Sequence, residues 1–460
     1  MEWRPGRGFT REIVLGTEEE PIGGHERPYV LYAIILINIA VYAVTSASTG
    51  FIKSTVDWIA KLGFVPAKLL VDPSSFYTIF TAMFTHANLF HIFFNLYFLY
   101  IFGRAVERTL GHLRFLLLYI VSGIMAALFH TLFIYLQSPA DLAVPSVGAS
   151  GAISGVLGAY MLLYPGTRLV ACFFLFFIPV CFELLAAYWI LFWFALQVME
   201  GYFALNSSVA FFAHVGGFLT GIAVLPLIVN EERIAKLRIM SQARRLFDII
   251  VFGYPLHRRG LSPGIKVAFT LLSAILLAST AFAYAYTYHV QSYIGSYVIK
   301  WSAAGVTGVD SAFVSFTGFH AQPILEATAD APARIVVALL DKYGLFYRPD
   351  LRDTRIILTP PLLEPTKVYI PQTFYSGIIV TVIPKRLSLV YSAAGVLVQA
   401  SLNAAVMLHS IVQLSTSVHL TKYSNPTPLL RAIALLSLII VAATLYIVLY
   451  RDTDYVITPE

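Results

Sequence analysis

The sequence predicts an all-α polytopic membrane protein: a bundle of six spans, followed by two further spans that enclose a β-rich extracytoplasmic domain. Three observations lead there. Hydrophobic residues fill 58% of the 460 positions and charged residues 12%, against about 25% charged in soluble domains, which excludes an ordinary water-facing surface. Apolar stretches of roughly 20 residues follow one another, each long enough to cross a hydrocarbon core of about 30 Å. Finally, most of the period-two stretches, such as "TKVYIPQTF" and "VQLSTSVHLT", are confined to 290–428.

Residues 1–27 are polar and mixed in charge, so a cytoplasmic tail without a cleavable signal is expected. Spans are expected near 29–48, 89–104, 113–136, 150–165, 182–203 and 209–229, within a unit covering 28–230. A basic linker (231–265), a seventh span (266–289), the β-rich region (290–428), an eighth span (429–450) and a tail (451–460) follow. Arg104, Arg108, Arg114 and Arg168 fall in connections on one side, together with Arg233, Lys236, Arg238, Arg244, Arg245, Arg258, Arg259 and Lys266. That side reads as cytoplasmic, with the basic run facing anionic headgroups rather than nucleic acid. Lys53, Lys61 and Lys68 oppose this orientation but are fewer. Pro179 suggests an irregular lead-in to the fifth span. The uncharged stretch 389–412 suits either strands or another span; Gln399, Asn403 and His409 favour strands. Cys172 and Cys181, the two cysteines, suit apolar packing, and two are too few for a four-ligand zinc site.

Chemistry enters with "SVGASGAIS" (146–154). A serine becomes a nucleophile only beside a base that takes its proton and donors that stabilise the resulting oxyanion. Of the eleven histidines, His25, His112 and His257 fall in cytoplasmic stretches, and His289, His320, His409 and His419 in or beside the C-terminal region. His130, within span three, suits helix bridging. His86, His91 and His214 remain. Ser150 opens span four; His91 and Asn95 lie one turn apart on span two; His214 lies just inside span six. Polar side chains at one depth from three distant segments suggest a hydrated cavity. Gly148, Gly151, Gly155 and Gly158 on one span and Gly216, Gly217 and Gly221 on another permit the close approach that a Ser–His hydrogen bond needs. Small residues alone would equally serve helix packing.

"GASG" around Ser150, "HANLFHIFFN" with His86, His91 and Asn95, "GRAVERTLG" with Gly103 and Glu107, and "AHVGGFLTG" with His214 together resemble the rhomboid intramembrane serine proteases, over about 28–230. "LGFVPA" (62–67) resembles the lead into that family's first loop. The resemblance implies a six-helix rhomboid-like bundle with Ser150 as nucleophile and His214 as general base, a dyad without a third carboxylate. It implies an oxyanion hole from His91, Asn95 and the backbone amide of Ser150. His86 would brace a loop, Glu107 would anchor the inner end of span two, and the glycines, including Gly103, Gly148, Gly151, Gly216 and Gly217, would support the packing. Two departures stand out. Ser154 replaces an aromatic residue usual one turn after the nucleophile, and Tyr77–Thr78 replaces a Trp-Arg pair.

The function implied is a serine endopeptidase cutting the transmembrane segments of other membrane proteins, in a plasma membrane, without cofactor or metal. Its partners would be transmembrane substrates and the lipid bilayer, with no nucleic acid. Span five, with Trp189, Phe192, Trp193 and Phe194, and the loop "ALNSSVA" would form gate and lid; Glu183 and Glu200 would be interfacial. A non-proteolytic relative that binds transmembrane helices is the alternative; inactive relatives typically lose the serine or the histidine, and this chain keeps both. A transporter would need paired broken helices or duplicated halves, and neither is evident.

Overall fold

A computed structural model describes residues 16–17, 27–137, 139–175, 178–203, 209–252, 260–289, 292–317, 320–325, 329–371, 377–407 and 410–458. His25, His257, His409 and 204–208 of the expected lid lie outside them. Among the described residues, six helices are long and apolar enough to cross a membrane: Tyr29–Thr49, Leu89–Leu110, His112–Gln137, Phe211–Ile228, Pro263–His289 and Thr427–Tyr455. The protein is thus a multi-pass membrane protein.

The first region begins with α1 (Tyr29–Ser46), three short helices α2 (Val56–Leu62), α3 (Pro66–Val71) and α4 (Tyr77–Ala82), and the long pair α5 (Leu89–Leu110) and α6 (His112–Gln137). Only Gly111, at φ +85°, separates that pair, a left-handed conformation that glycine adopts without strain. Glu107, buried in the last turn of α5, accepts the Val30 and Leu31 N–H groups at 2.9 and 2.7 Å and that of His112 Nδ1 at 2.6 Å. It satisfies two orphan amides at the start of α1 and favours the positive end of its dipole.

Helix α7 (Ser150–Leu163) is buried from Ala152 to Leu163. Its 14 residues span only about 21 Å at 1.5 Å per residue, less than a hydrocarbon core. At its far end the Leu163 carbonyl accepts the Ile457 N–H of the C-terminal segment at 2.8 Å. Helix α9 (Phe211–Ile228) packs on α7 almost backbone to backbone. A Cβ at Gly217 would lie 2.0 Å from the Gly151 carbonyl oxygen, and one at Gly221 1.9 Å from that of Gly155. Gly216 is as tight against Phe129 of α6, and Gly103 faces Leu31 of α1.

Between α7 and α8 (Ala186–Phe203) the irregular lead-in expected around Pro179 is instead a hairpin, β2 (Arg168–Leu175) and β3 (Ile178–Leu185), to which β1 (Gly16–Thr17) is paired. The helix expected as the fifth span therefore starts at Ala186 rather than at 182. Cys172 stands opposite Cys181 in the hairpin register, and Glu183 pairs with Arg168 at 3.4 Å.

The basic segment forms α10 (Glu231–Phe252), and part of its charge is spent inside the protein rather than on headgroups. Arg233 donates to the Arg108 carbonyl at 2.5 Å, and Arg238 donates to the carbonyls of Thr453, Asp454 and Val456. Lys266 pairs with buried Asp452 at 2.8 Å.

Helices α11 (Pro263–His289) and α13 (Thr427–Tyr446) pack side by side, with helix α12 (Ala331–Lys342) and an antiparallel sheet inserted between them in sequence. The strands are β4 (Ser292–Ala303), β5 (Val306–Thr317), β6 (His320–Leu325), β7 (Arg355–Leu358), β8 (Thr366–Pro371), β9 (Gly377–Tyr391), β10 (Leu397–Met407) and β11 (Ile411–Ser424). Their order is β6-β5-β4-β11-β10-β9-β7, with β8 also on β9. The described part of 389–412 is strand and turn, with β10 paired to β9 and β11. Ala304–Gly305, both at positive φ, close the β4–β5 hairpin, as two-residue hairpins demand. The apolar face of α12, with Val336, Leu339 and Leu340, buries against the sheet. This domain rests on the Ser150 end of the bundle. Ile294, Phe313 and Ile324 pack with Val65, Leu70 and Val71 around α3 and with Leu142, while Lys422 pairs with Asp72 at 2.9 Å.

Candidate functional site

The sequence-derived candidates converge. Ser150 Oγ lies 2.8 Å from His214 Nε2, joining the start of α7 to the first turn of α9. The glycine contacts between these helices set that distance, since any side chain there would hold the backbones apart. Gly148 adopts φ +123°, and a Cβ there would lie 2.7 Å from His91 Nε2 and 3.8 Å from Ser150 Oγ. Only glycine leaves the space between the imidazole and the serine open.

His91 is placed by the cap of α5, where Asn88 Oδ1 accepts the His91 N–H at 2.9 Å. Its Nδ1 accepts a long bond from the Ala87 N–H at 3.5 Å, which leaves the proton on Nε2, the nitrogen facing Gly148. Asn95 is buried and borders the same cavity, but its Nδ2 donates to the His91 carbonyl at 2.8 Å. One of its two N–H groups is thus engaged within its own helix. His86 Nε2 accepts the Ala149 N–H at 3.4 Å, and its ring meets that of His91 edge-on at 5.0 Å. It thus contacts the turn immediately before Ser150.

Ser154 turns back along its helix and donates to the Ser150 carbonyl at 2.7 Å, so it makes no link to His214. Two residues of α8 stand there instead. Gln197 Oε1 lies 2.7 Å from His214 Nδ1, and the Trp193 ring centroid is 6.0 Å from that of His214, tilted 37°. Sequence reasoning passed over Gln197. The signal that could have found it is a lone amide inside an apolar span, which is costly unless it has a partner.

The cavity has a volume of about 810 Å³ and is bordered by His91, Asn95, Ser150 and His214, with Trp189 and Trp193 from α8 and Phe94 and Phe98 from α5. Trp189 stacks on Phe98 and Phe102 at 5.9 and 5.8 Å, closing the gap between α8 and α5. Phe192 faces outward and Phe194 is buried against Phe218 and Phe269. Only two of the four aromatic residues expected at a gate therefore line the cavity. A concave, mostly apolar space with few convergent polar groups is the usual form of a reactive site. A serine hydroxyl bonded to an imidazole beside further N–H donors can transfer an acyl group.

Residues 73–231 match the Rhomboid domain family model. The chain is 30% identical over 171 residues to RHOMBOID-like protein 6, mitochondrial, of Arabidopsis thaliana, covering 37% of this chain and 50% of the relative. It is 30% identical over 193 residues to Rhomboid protease AarA of Providencia stuartii, covering 38% and 64%. It is also 33% identical over 100 residues to Inactive RHOMBOID-like protein 8 of Arabidopsis thaliana, covering 22% and 26%. The chain spans about half the length of the first curated relatives it matches. The stretch that matches the Rhomboid domain, 73–231, contains the whole of the Ser150 and His214 site.

Proposed function

We propose that the protein is an intramembrane serine endopeptidase that hydrolyses peptide bonds in or near the transmembrane segments of other membrane proteins. The observation that carries this reading is the 2.8 Å contact between Ser150 Oγ and His214 Nε2 at a mostly apolar cavity of the helical bundle. Ser150 Oγ attacks the substrate carbonyl carbon as its proton passes to His214 Nε2. The C–N bond then breaks, and the same proton goes to the leaving amine. Water hydrolyses the resulting ester by the reverse sequence of proton transfers.

Charge develops on the carbonyl oxygen, and the candidate donors are His91 Nε2–H, the backbone N–H of Ser150 and the remaining N–H of Asn95. The orphan amides at the start of α7 add a favourable dipole. A substrate helix must unwind locally to offer its backbone, so helix-destabilising residues near the cut are favoured. In this reading 28–230 is the catalytic unit, with its N-terminus cytoplasmic, in the plasma membrane. Residues 266–289 and 429–450 are further spans that flank an extracytoplasmic domain at 290–428.

A relative named inactive means that likeness to the family alone does not decide between cleavage and helix binding; the intact Ser–His contact favours cleavage. The test is cleavage of a model transmembrane substrate together with labelling by a serine-directed fluorophosphonate. Ser150→Ala and His214→Ala should each abolish both, and persistent cleavage by Ser150→Ala would exclude the dyad.

A further inference from the structure

His214 has neither of the supports that its likeness to other serine hydrolases suggests. Among the described residues no carboxylate is hydrogen-bonded to it, and Ser154 stands where a ring would hold it. Nonetheless both ring nitrogens are occupied, Nε2 by Ser150 at 2.8 Å and Nδ1 by Gln197 Oε1 at 2.7 Å. We propose that Gln197 is the positioning residue of the dyad, and that α8 supplies through Gln197 and Trp193 the support that α7 lacks. This rests on the serine-protease reading above.

The chemistry sets the roles. To accept the Ser150 proton, Nε2 must be bare, so the neutral imidazole carries its hydrogen on Nδ1. In an apolar interior that N–H needs an acceptor, and the Gln197 carbonyl oxygen provides it. The opposite amide orientation would set N–H against N–H, so the network determines which end of the amide faces the ring. Gln197 thereby selects the productive tautomer and holds the ring plane, as a carboxylate does in a triad. It does so without a buried charge, which suits a site among apolar helices. As Nε2 takes the proton, the amide oxygen also faces the imidazolium that forms. Trp193, one turn earlier on α8, flanks the same ring at 6.0 Å and limits its rotation.

The experiment compares Gln197→Leu and Gln197→Met, which keep bulk and lose the acceptor, with Gln197→Glu, which keeps an oxygen. All are assayed in the full chain beside Ser150→Ala on one transmembrane substrate, with melting followed in detergent. The expected result is a kcat lowered about 10²- to 10⁴-fold in Gln197→Leu and Gln197→Met, by analogy with loss of tautomer control in a triad. KM should stay within about twofold, and Gln197→Glu should recover kcat to within about tenfold of the parent, as an oxygen acceptor is restored. An unchanged kcat in Gln197→Leu overturns the proposal. So does an equal loss in all three variants, or a large drop in melting temperature in both apolar ones, since either makes the role one of packing. If Ser150→Ala still cleaves, the protease reading itself fails. If Ser150→Ala is dead and Gln197→Leu is fully active, only the inference about Gln197 fails.

Discussion

The helical bundle and the sheet domain resting on it are equally well-built elements, yet only one announces chemistry. Inside the bundle a polar group is costly, because apolar surroundings make an unpaired donor or acceptor expensive. Ser150, His91, Asn95 and His214 were therefore conspicuous against their apolar neighbours, and the side chain of each has a polar contact in the structure. On the sheet, polar residues such as Gln399, Ser401 and Asn403 alternate with buried Ala400, Leu402 and Ala404. Their alternation states which face is core and carries no further message. Cost is what makes a residue informative about function, and the bundle imposes it where the sheet does not.

The sharpest way to break this contrast is to disturb the bundle where it has no slack. Gly217→Ala places a Cβ 2.0 Å from the Gly151 carbonyl oxygen, which forces α7 and α9 apart. A loss of about 2–3 kcal/mol is expected from overpacking, read as a lowered melting temperature in detergent. Cleavage should fall below detection, because the Ser150–His214 distance is set by the same contact.

Removing a large side chain from the junction between the regions comes next. Phe313 of β5 is buried in the cluster with Val65 and Leu70. Phe313→Ala should cost about 3–5 kcal/mol by the usual core truncation, seen as faster hydrogen exchange in both β5 and α3. Bundle helices α7 and α9 should keep their protection if the two regions are separable as described. A smaller effect is expected where α8 meets α5. Trp189→Ala removes two stacked pairs, each worth about 0.5–1.5 kcal/mol. If this contact closes the cavity, initial cleavage rates should rise, by up to about tenfold.

The smallest effect is at Asp72, whose carboxyl the Lys422 side chain holds below its ordinary range. A depressed carboxylate contributes stability above its unfolded pKa and loses it as pH falls through the folded value. Docking of the sheet domain on α3 should thus be unaffected near neutrality and loosen on acidification below the ordinary carboxylate range. The pair is exposed, so added salt should weaken it as well. Limited proteolysis around α3 across pH, with Asp72→Asn as the insensitive control, checks this.

How much was legible follows the same logic. Apolar stretches located α1, α5, α6, α9, α11 and α13, because crossing length is a strong constraint. The run around "LVACFFLFFIPVCFELL" was the hard case. It is about as apolar as a span, and hydropathy does not distinguish a hairpin from the start of a helix. Gln197 stayed hidden because its meaning depends on which face of α8 meets α9, a tertiary fact. The caps supplied by Glu107 to α1 and by Ile457 to α7 join segments far apart in sequence, so no local pattern reveals them. Arg233, Arg238 and Lys266 looked like headgroup anchors because composition counts charges without showing what they touch.

The most direct test of the central claim is to treat the purified full chain with a fluorophosphonate and locate the adduct by peptide mass spectrometry. The account predicts a single adduct on Ser150, absent in His214→Ala, with substrate cleavage lost in proportion to its formation. An adduct on Ser146 or Ser154, or full cleavage by protein whose Ser150 is completely modified, would contradict it.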